Sequence, residues 1–414
     1  MPRKRHRVLY VQKAPGGGSV VSLHELVRGL DRSRFEPVVL FHQPTDYAPA
    51  FRALGARVLV LDEWLAGERG RRTGRVWPRN DLIVAWLLAR RIRAEGIDLV
   101  HHNNNLRANR VSVLAAWLAG VPQVCHVRML RPYSRWTDRL LAGCVRRFIY
   151  ISTAVERQCR RSIGIPEHKG EVIPDPVDVA AFANAGCAAR RIRAEFSLGE
   201  HDPLIANVGR LVAWKGQDYF LRAMAEVARS HPTAKALIVG APNESAESQA
   251  FFQNLQRLAG RLGLLDRVIF TGFRSDVPEL MAAADIVVHS SSEPEPLGRV
   301  VMEGMAAGRP VVATAAGGVL ETVIHGETGI LVPLKDPGAM ARAILRLLAN
   351  PEEAERMGRR AREHVAERFS LPRYMEAIHR GYASILEGRP ARKQKPSTRK
   401  GKKHGGGRRP AAAA

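Results

Sequence analysis

Short, almost continuously apolar segments recur along this chain, and segments with helical periodicity separate them. Arg7–Val11 opens the series, and Pro37–Phe41, Val58–Leu61, Ile97–His102, Gln123–His126 and Phe148–Ser152 continue it. Between them, Val20–Leu30, Leu82–Glu95, Val111–Ala119 and Thr153–Arg161 repeat apolar residues every three or four positions. A strand that is apolar on both faces must be covered on both faces. Strands alternating with helices therefore predict a parallel sheet between two helical layers. The pattern breaks between Asp175 and Gly199, where Pro174-Asp-Pro-Val-Asp178 and a helix-like Ala180–Phe196 read as a connection. A second series then runs through Leu204–Val208, Ala236–Val239, Val268–Phe270, Ile286–His289 and Val311–Ala313. The fold class is α/β: two Rossmann-like, doubly wound parallel-sheet domains facing one another across a cleft. The boundaries read as 1–186 for the first domain (connection about 175–199) and 187–370 for the second. A last helix occupies 371–388, and a basic tail without apolar periodicity, expected to be disordered, occupies 389–414.

Composition narrows the class. With 414 residues and 45% hydrophobic content, two cores can be filled. No apolar run approaches the roughly 20 residues of a spanning helix, and Val8–Val11 is too short for a signal-peptide core, so the expected location is the cytoplasm. Cys125, Cys144, Cys159 and Cys187 form no C-x-x-C pair, which argues against a zinc site or a disulfide frame. The net charge of +24 is unevenly spread. Residues 1–186 hold 30 basic against 16 acidic residues, residues 187–388 balance at 24 each, and residues 389–414 hold 10 basic and no acidic residues. An anionic partner on the first half would account for this: a membrane surface, a phosphorylated acceptor or nucleic acid. An arginine-rich composition with little selection on surface charge is the plainer account, but the neutral second half argues against it as a complete one.

The first strand runs into Ala14-Pro-Gly-Gly17-Gly18-Ser and then a helix, an arrangement in which backbone N–H groups face an anion. No Gly-Lys-Ser/Thr follows, so this is not a nucleoside-triphosphate loop. The third glycine of G-x-G-x-x-G and the acid after the next strand are both missing, which argues against a bound dinucleotide. His102, His126 and Ser152 end strands and are candidates for a shared cleft, although a surface or capping histidine would read the same way.

The second half carries the densest signal. Glu295-Pro-Leu297-Gly298 precedes a helix-patterned run, and Glu303 follows two turns later. The first acid and the glycine thus fall at a helix N-terminus, which favours a phosphate. Gly209-Arg210 and Lys215-Gly216 follow the first strand of the same half, so a guanidinium fork and a point charge can converge on one diphosphate. In isolation these would read as surface cations and a helix-dipole acid.

Taken with Gly272-Phe273-Arg274-Ser-Asp276, Ala284–Ser290, Gly308-Arg-Pro310, Gly317-Gly318-x-x-Glu321 and Gly326-Glu-Thr-Gly329, in that order, the sequence resembles the retaining glycosyltransferases of family 4, which have the GT-B fold. The resemblance spans most of residues 7–388. It implies a nucleotide-sugar donor in the second domain and an acceptor on the first. Arg210 and Lys215 would grip the diphosphate and Glu303 the ribose hydroxyls. Glu295 would bind hydroxyls of the transferred sugar, and the N–H groups of Leu297 and Gly298 would face phosphate or sugar. Gly209 would lie in the donor loop, and Phe273 and Arg274 would border the base. His126 would stand near the transferred sugar, Gly17 and Gly18 would lie on the acceptor side, and the last helix would cross back to the first domain. The unusually polar run His101–Asn105 after its strand is a departure from the family pattern that makes His102 an acceptor-side candidate. The usual Asn-Gly-Val-Asp before the connection is here Asp175-Pro176-Val177-Asp178, which puts the hinge geometry in question.

The expected activity is transfer of a sugar from a nucleoside-diphosphate sugar to a glycan or a lipid-linked or otherwise anionic acceptor, with retention. No cofactor is expected beyond the nucleotide sugar, and no metal, because Asp-x-Asp is absent and Glu293-x-Glu295 is the nearest imitation. Two Arg/Trp-rich stretches, Glu63–Pro78 and Met129–Leu141, raise the hypothesis of peripheral attachment to the inner face of the plasma membrane. The alternatives are a sugar-nucleotide epimerase on the same architecture and, from a different class, a basic nucleic-acid-binding protein, motivated by the tail.

Overall fold

The computed structural model describes residues 5–14, 16–66, 81–133, 136–199 and 201–387. The Arg-rich part of Glu63–Pro78 and the basic tail lie outside these residues. Two parallel sheets organise the chain. The first has seven strands in the order β3-β2-β1-β4-β5-β6-β7. They are β1 His6–Gln12, β2 Phe35–Phe41, β3 Arg57–Val60, β4 Leu99–Asn104, β5 Gln123–Val127, β6 Arg147–Tyr150 and β7 Gly170–Val172. The second has six, in the order β10-β9-β8-β11-β12-β13. They are β8 Leu204–Val208, β9 Lys235–Val239, β10 Val268–Gly272, β11 Ile286–His289, β12 Val311–Thr314 and β13 Ile330–Val332. This is the doubly wound α/β architecture expected from the sequence. The strands missing from the periodic pattern are β7 and β13, each three residues long and too short to carry one. The helix expected over Ala180–Phe196 is broken into Val179–Asn184, a 3-10 turn over Ala185–Ala188, and Ala189–Glu195. Gly186, a weak helix former, sits at the break.

In each sheet the strand order reverses direction beside the first strand of the series, β1 or β8, which opens a crevice at the carboxyl ends of the strands. Gly17 and Gly18 follow β1, and Gly209 to Gly216 follow β8, so both glycine loops fall at such crevices. One hydrophobic cluster joins the two halves: Val155, Ile163 and Phe182 pack with Leu297, Val301, Met305 and Phe369. The last helix, Leu371–Glu387, returns to the first sheet. It buries Tyr374, Met375, Ile378, Tyr382 and Ile385 in the cluster that contains Val8, Tyr10, Leu23 and Val39. The first half is therefore completed by the end of the chain.

Ile378→Ala should destabilise the protein by about 2–5 kcal/mol, the usual cost of truncating a fully buried isoleucine. Arg380→Ala on the exposed face of the same helix should change stability by less than about 0.5 kcal/mol. Urea unfolding of both variants checks this, and equal effects would mean that the helix does not complete the first core.

Candidate functional site

β11 ends at His289, and the chain then loops through Ser291 to Glu295 before entering the helix Arg299–Ala306. Two close backbone approaches shape this loop. Gly318 N–H donates to the Glu295 carbonyl at 2.8 Å. A Cβ at Gly317 or Gly318 would lie 2.1 or 2.2 Å from the carbonyl oxygens of Glu295 and Pro296, so only glycine fits. On the other side Gly216, with φ +67°, lies against the Ser290 carbonyl. The loop after β8 is thereby pressed onto the loop after β11.

The result is a buried carboxylate with several donors. Glu295 is 6% exposed. Its Oε1 accepts from Lys215 Nζ at 2.6 Å, from His289 Nε2 at 2.8 Å and from Ser291 Oγ. On the other side of the ring, His289 Nδ1 lies 3.2 Å from Thr314 Oγ1. Lys215 also lies over the Trp214 ring, 4.6 Å from its centroid. Among the described residues no donor reaches Glu295 Oε2. Burial by itself would raise the Glu295 carboxyl, but the charges and hydrogen bonds of His289 and Lys215 outweigh it and hold the group well below the ordinary carboxylate range. Glu295 is therefore ionised at neutral pH, with one oxygen anchored and the other available to a ligand.

The other residues predicted for this half lie after β8, after β10, and just before or on the helix Arg299–Ala306. Arg210 is exposed after β8, and its guanidinium has no partner among the described residues. Leu297 is buried, and Gly298, with φ +79°, is the N-cap of the helix Arg299–Ala306. The first N–H groups of that helix have no intrahelical acceptors. Glu303 lies on the same helix and accepts from Arg299 Nε at 2.8 Å. Phe273 is 77% exposed at the end of β10. Arg274 departs from expectation. Its guanidinium is held by Glu195 and by Asp276, with Nε 2.8 Å from Asp276 Oδ1, so in this conformation it is committed to protein carboxylates rather than free to border a base.

In the first half, Gly17 and Gly18 have nothing within 4 Å of the position a Cβ would take, so they face open space. His102 does not lie on an acceptor surface. It is fully buried, its Nε2 bonded to Gln123 Oε1 at 2.7 Å and its Nδ1 facing Ser112 Oγ at 3.1 Å. Burial lowers its pKa to about 4. The period-two alternation of β4 explains this, because His102 shares its face with Val100, beneath the helix Arg110–Ala119. His126 is also fully buried, so in this conformation its side chain does not face an open cleft. Its Nδ1 accepts from Arg128 at 3.1 Å, and burial, reinforced by that guanidinium, keeps the ring neutral. Nε2 then carries the proton, and it has no hydrogen-bond partner among the described residues.

Sequence reasoning missed three features. His289, which anchors Glu295, was legible only as a histidine at a strand end. The hinge acids form the second. Asp175 accepts from buried Arg128 and from Ser22 Oγ at 2.8 Å, and Asp178 accepts from Arg28 at 2.7 Å. The third is a set of bonds between the halves. Ser152 Oγ donates to the Pro296 carbonyl at 2.5 Å, and Glu321 accepts from the N–H groups of Thr153 and Ala154 at 2.8 and 2.9 Å. Glu321 thus caps the helix Thr153–Ile163 of the opposite half.

Glu295 is thus a buried, ionised carboxylate bonded to a lysine, three residues before the N-cap of a helix. Residues 189–364 match the family Glycosyl transferases group 1, and residues 16–181 match Glycosyltransferase Family 4. The sequence is 32% identical over 320 residues to the D-inositol 3-phosphate glycosyltransferase of Mycolicibacterium smegmatis, covering 77% of this chain and 68% of that one. The chain belongs to glycosyltransferase family 4. This family 4 chain is also 37% identical over 197 residues, 45% of its length, to the GDP-mannose-dependent α-(1-6)-phosphatidylinositol monomannoside mannosyltransferase of the same organism. That match spans about half of the relative, 49%. The crystal structure of Anabaena HepE in complex with UDP and glucose superposes with a TM-score of 0.79 at 25% identity, covering 92% of this chain and all of that one. The GT-B architecture follows.

Because the folded-state pKa of Glu295 lies below its ordinary value of 4.5, its ionised form stabilises the fold fully above pH 4.5. That contribution is lost as pH falls towards the folded value. The stability gap between wild type and Glu295→Gln should therefore be largest near neutral pH and shrink below pH 4.5, as read by urea unfolding across the range. A gap independent of pH would mean that the anchored charge is not what Glu295 contributes.

Proposed function

We propose that this chain transfers a sugar from a nucleoside-diphosphate sugar to a glycan or a lipid-linked or otherwise anionic acceptor. In this reading the anomeric configuration is retained and no metal is required. The observation that carries the proposal is Glu295, held ionised through Oε1 by Lys215 and His289 while Oε2 stays open. In this reading Oε2 accepts hydroxyl hydrogen bonds from the transferred sugar. Departure of the leaving group builds negative charge on a diphosphate. Arg210, Lys215 and the first N–H groups of the helix Arg299–Ala306 supply preorganised positive potential for it, and these groups take the role a metal would otherwise fill. Glu303 would accept from ribose hydroxyls. Retention rests on the likeness to the family. UDP in the HepE complex and GDP-mannose in the name of the mycolicibacterial relative support a nucleoside-diphosphate donor.

Peripheral attachment to the cytoplasmic face of an anionic membrane belongs to the same reading. Among the described residues no helix is long and apolar enough to cross a membrane. Three helices following β3, β4 and β5, Asp81–Ala94, Arg110–Ala119 and Trp136–Cys144, leave Trp86, Trp117 and Trp136 exposed, together with Leu82 and Leu140. Arg90 stacks on Trp86 at 4.9 Å. Indole rings among arginines suit the interface of an anionic bilayer.

Thermal unfolding with UDP, GDP and ADP, each with and without EDTA, tests the donor reading. One diphosphate should raise the midpoint, with a gain of about 2.7 kcal/mol at a hundred times its Kd, and EDTA should not change this. Arg210→Ala should lose the shift while leaving the unliganded midpoint intact, since that guanidinium has no partner among the described residues. No shift with any of the three would sink the proposal. Retention is checked by the anomeric coupling constant of the product.

Vesicle flotation tests the membrane reading. Wild type should float with phosphatidylglycerol-containing vesicles and not with pure phosphatidylcholine, and Trp86→Ala/Trp136→Ala should weaken flotation by about tenfold or more. Equal behaviour with both lipids would end it.

A further inference from the structure

At the carboxyl end of the first sheet, apart from the donor residues, the loops after β1, β4 and β5 enclose a cleft of about 320 Å³. Its charged lining consists of Lys13, Arg107, Arg110 and Arg131, with no carboxylate among the lining residues. Two of the four cations are already neutralised. Arg107 bonds Asp138 at 2.5 Å, and Arg110 bonds Asp81 at 2.6 Å. Lys13 and Arg131 are exposed and have no ion-pair partner among the described residues.

Hydrogen bonds tie the floor of the cleft together. Asn105 Oδ1 accepts from Ala108 N–H at 2.7 Å, and Asn109 Nδ2 bridges the carbonyls of Asn103 and Asn105. Tyr133 OH accepts from Leu106 N–H at 3.1 Å, and the Arg107 guanidinium lies 6.0 Å from the Tyr133 ring. Asn104 sits at φ +103°, a conformation that asparagine tolerates better than most residues. The polar run His101–Asn105 thus ties off a loop whose outer side faces the cations. Two positive charges without ion-pair partners among the described residues, lining one cleft together with two guanidinium groups, match one multiply charged oxyanion.

We propose that this cleft binds a phosphate group carried by the acceptor, with Lys13 and Arg131 as its charge partners and Arg107 and Arg110 completing the wall. The proposal rests on the glycosyltransfer reading for the word acceptor; the anion site itself stands on the geometry. Two cations converging on a phosphate contribute charge-assisted hydrogen bonds of about twice the strength of neutral ones. A neutral sugar acceptor would leave them unused. The cleft opens beside the starts of the helices Arg110–Ala119 and Trp136–Cys144, whose outer faces carry Trp117 and Trp136. The phosphate can therefore come from a lipid headgroup or from a soluble sugar phosphate.

Isothermal titration of the full chain with D-inositol 3-phosphate, inorganic phosphate and unphosphorylated inositol tests the site. Wild type should bind the two phosphates and not inositol. Lys13→Ala/Arg131→Ala should weaken phosphate binding by at least about tenfold, a loss of about 1.4 kcal/mol. The unliganded midpoint and the nucleoside-diphosphate shift should stay at wild-type values. Undiminished phosphate binding in the double variant, or no phosphate binding by wild type, overturns the proposal. If wild type binds the phosphates but shows no nucleoside-diphosphate shift, the glycosyltransfer reading fails and the anion site stands. Flotation with phosphatidylcholine vesicles, with and without phosphatidylinositol, separates the sources. Phosphatidylinositol-dependent binding lost in the double variant assigns the phosphate to a lipid; binding of soluble phosphates alone assigns it to a soluble acceptor.

Discussion

The structure turns on one buried negative charge. A carboxylate taken out of water costs several kcal/mol unless it is paired and hydrogen-bonded. Glu295 meets that requirement by drawing in groups from separate parts of the second sheet: Lys215 after β8, His289 at the end of β11, Ser291 in the following loop, and Thr314 behind the histidine. The glycines at 216, 317 and 318 follow from the same requirement, because three loop backbones must approach more closely than any side chain allows. The same constraint leaves one oxygen of Glu295 anchored and the other without a donor among the described residues.

The same loop couples the two halves. Pro296, next to the buried acid, receives the Ser152 hydroxyl of the first half, and Glu321, three residues beyond Gly318, caps a first-half helix. Arg299 holds Glu303 and stands 3.4 Å from Ser22, which in turn bonds Asp175 of the hinge. The loop around Glu295 is therefore joined to the first half and to the hinge by a series of hydrogen bonds. The proline at 176, which put the hinge geometry in question, is flanked by two aspartates that are both committed: Asp175 to Arg128 and Ser22, Asp178 to Arg28 and the following helix.

Much of this was legible in one dimension. Doubly covered strands need continuous apolar runs, so β1, β2, β8 and β11 announce themselves. The motif residues Arg210, Lys215, Glu295 and Glu303 could be read because their spacing sets them at strand ends and on one helix. Histidines were harder. In the sequence His102 and His126 read as strand ends like His289, yet β4 and β5 run on past them and both are buried within the first half, while His289 ends β11 and anchors Glu295. A strand-end position does not reveal what packs over each face, and that alone separates a core histidine from a functional one. Arg274 differs from its expected role for a similar reason: its partners Glu195 and Asp276 come from the connection and from its own loop.

By itself, the sequence determined the fold class and its two parallel sheets, because periodicity and glycine spacing are local properties that backbone sterics convert directly into structure. Tertiary structure alone decided which cations are spent on carboxylates and which have no partner among the described residues. It also decided which oxygen of Glu295 is open and how the halves are bonded. Those outcomes depend on groups tens to hundreds of residues apart. Electrostatics and hydrogen bonding act through space, and a linear pattern carries no record of which charges meet.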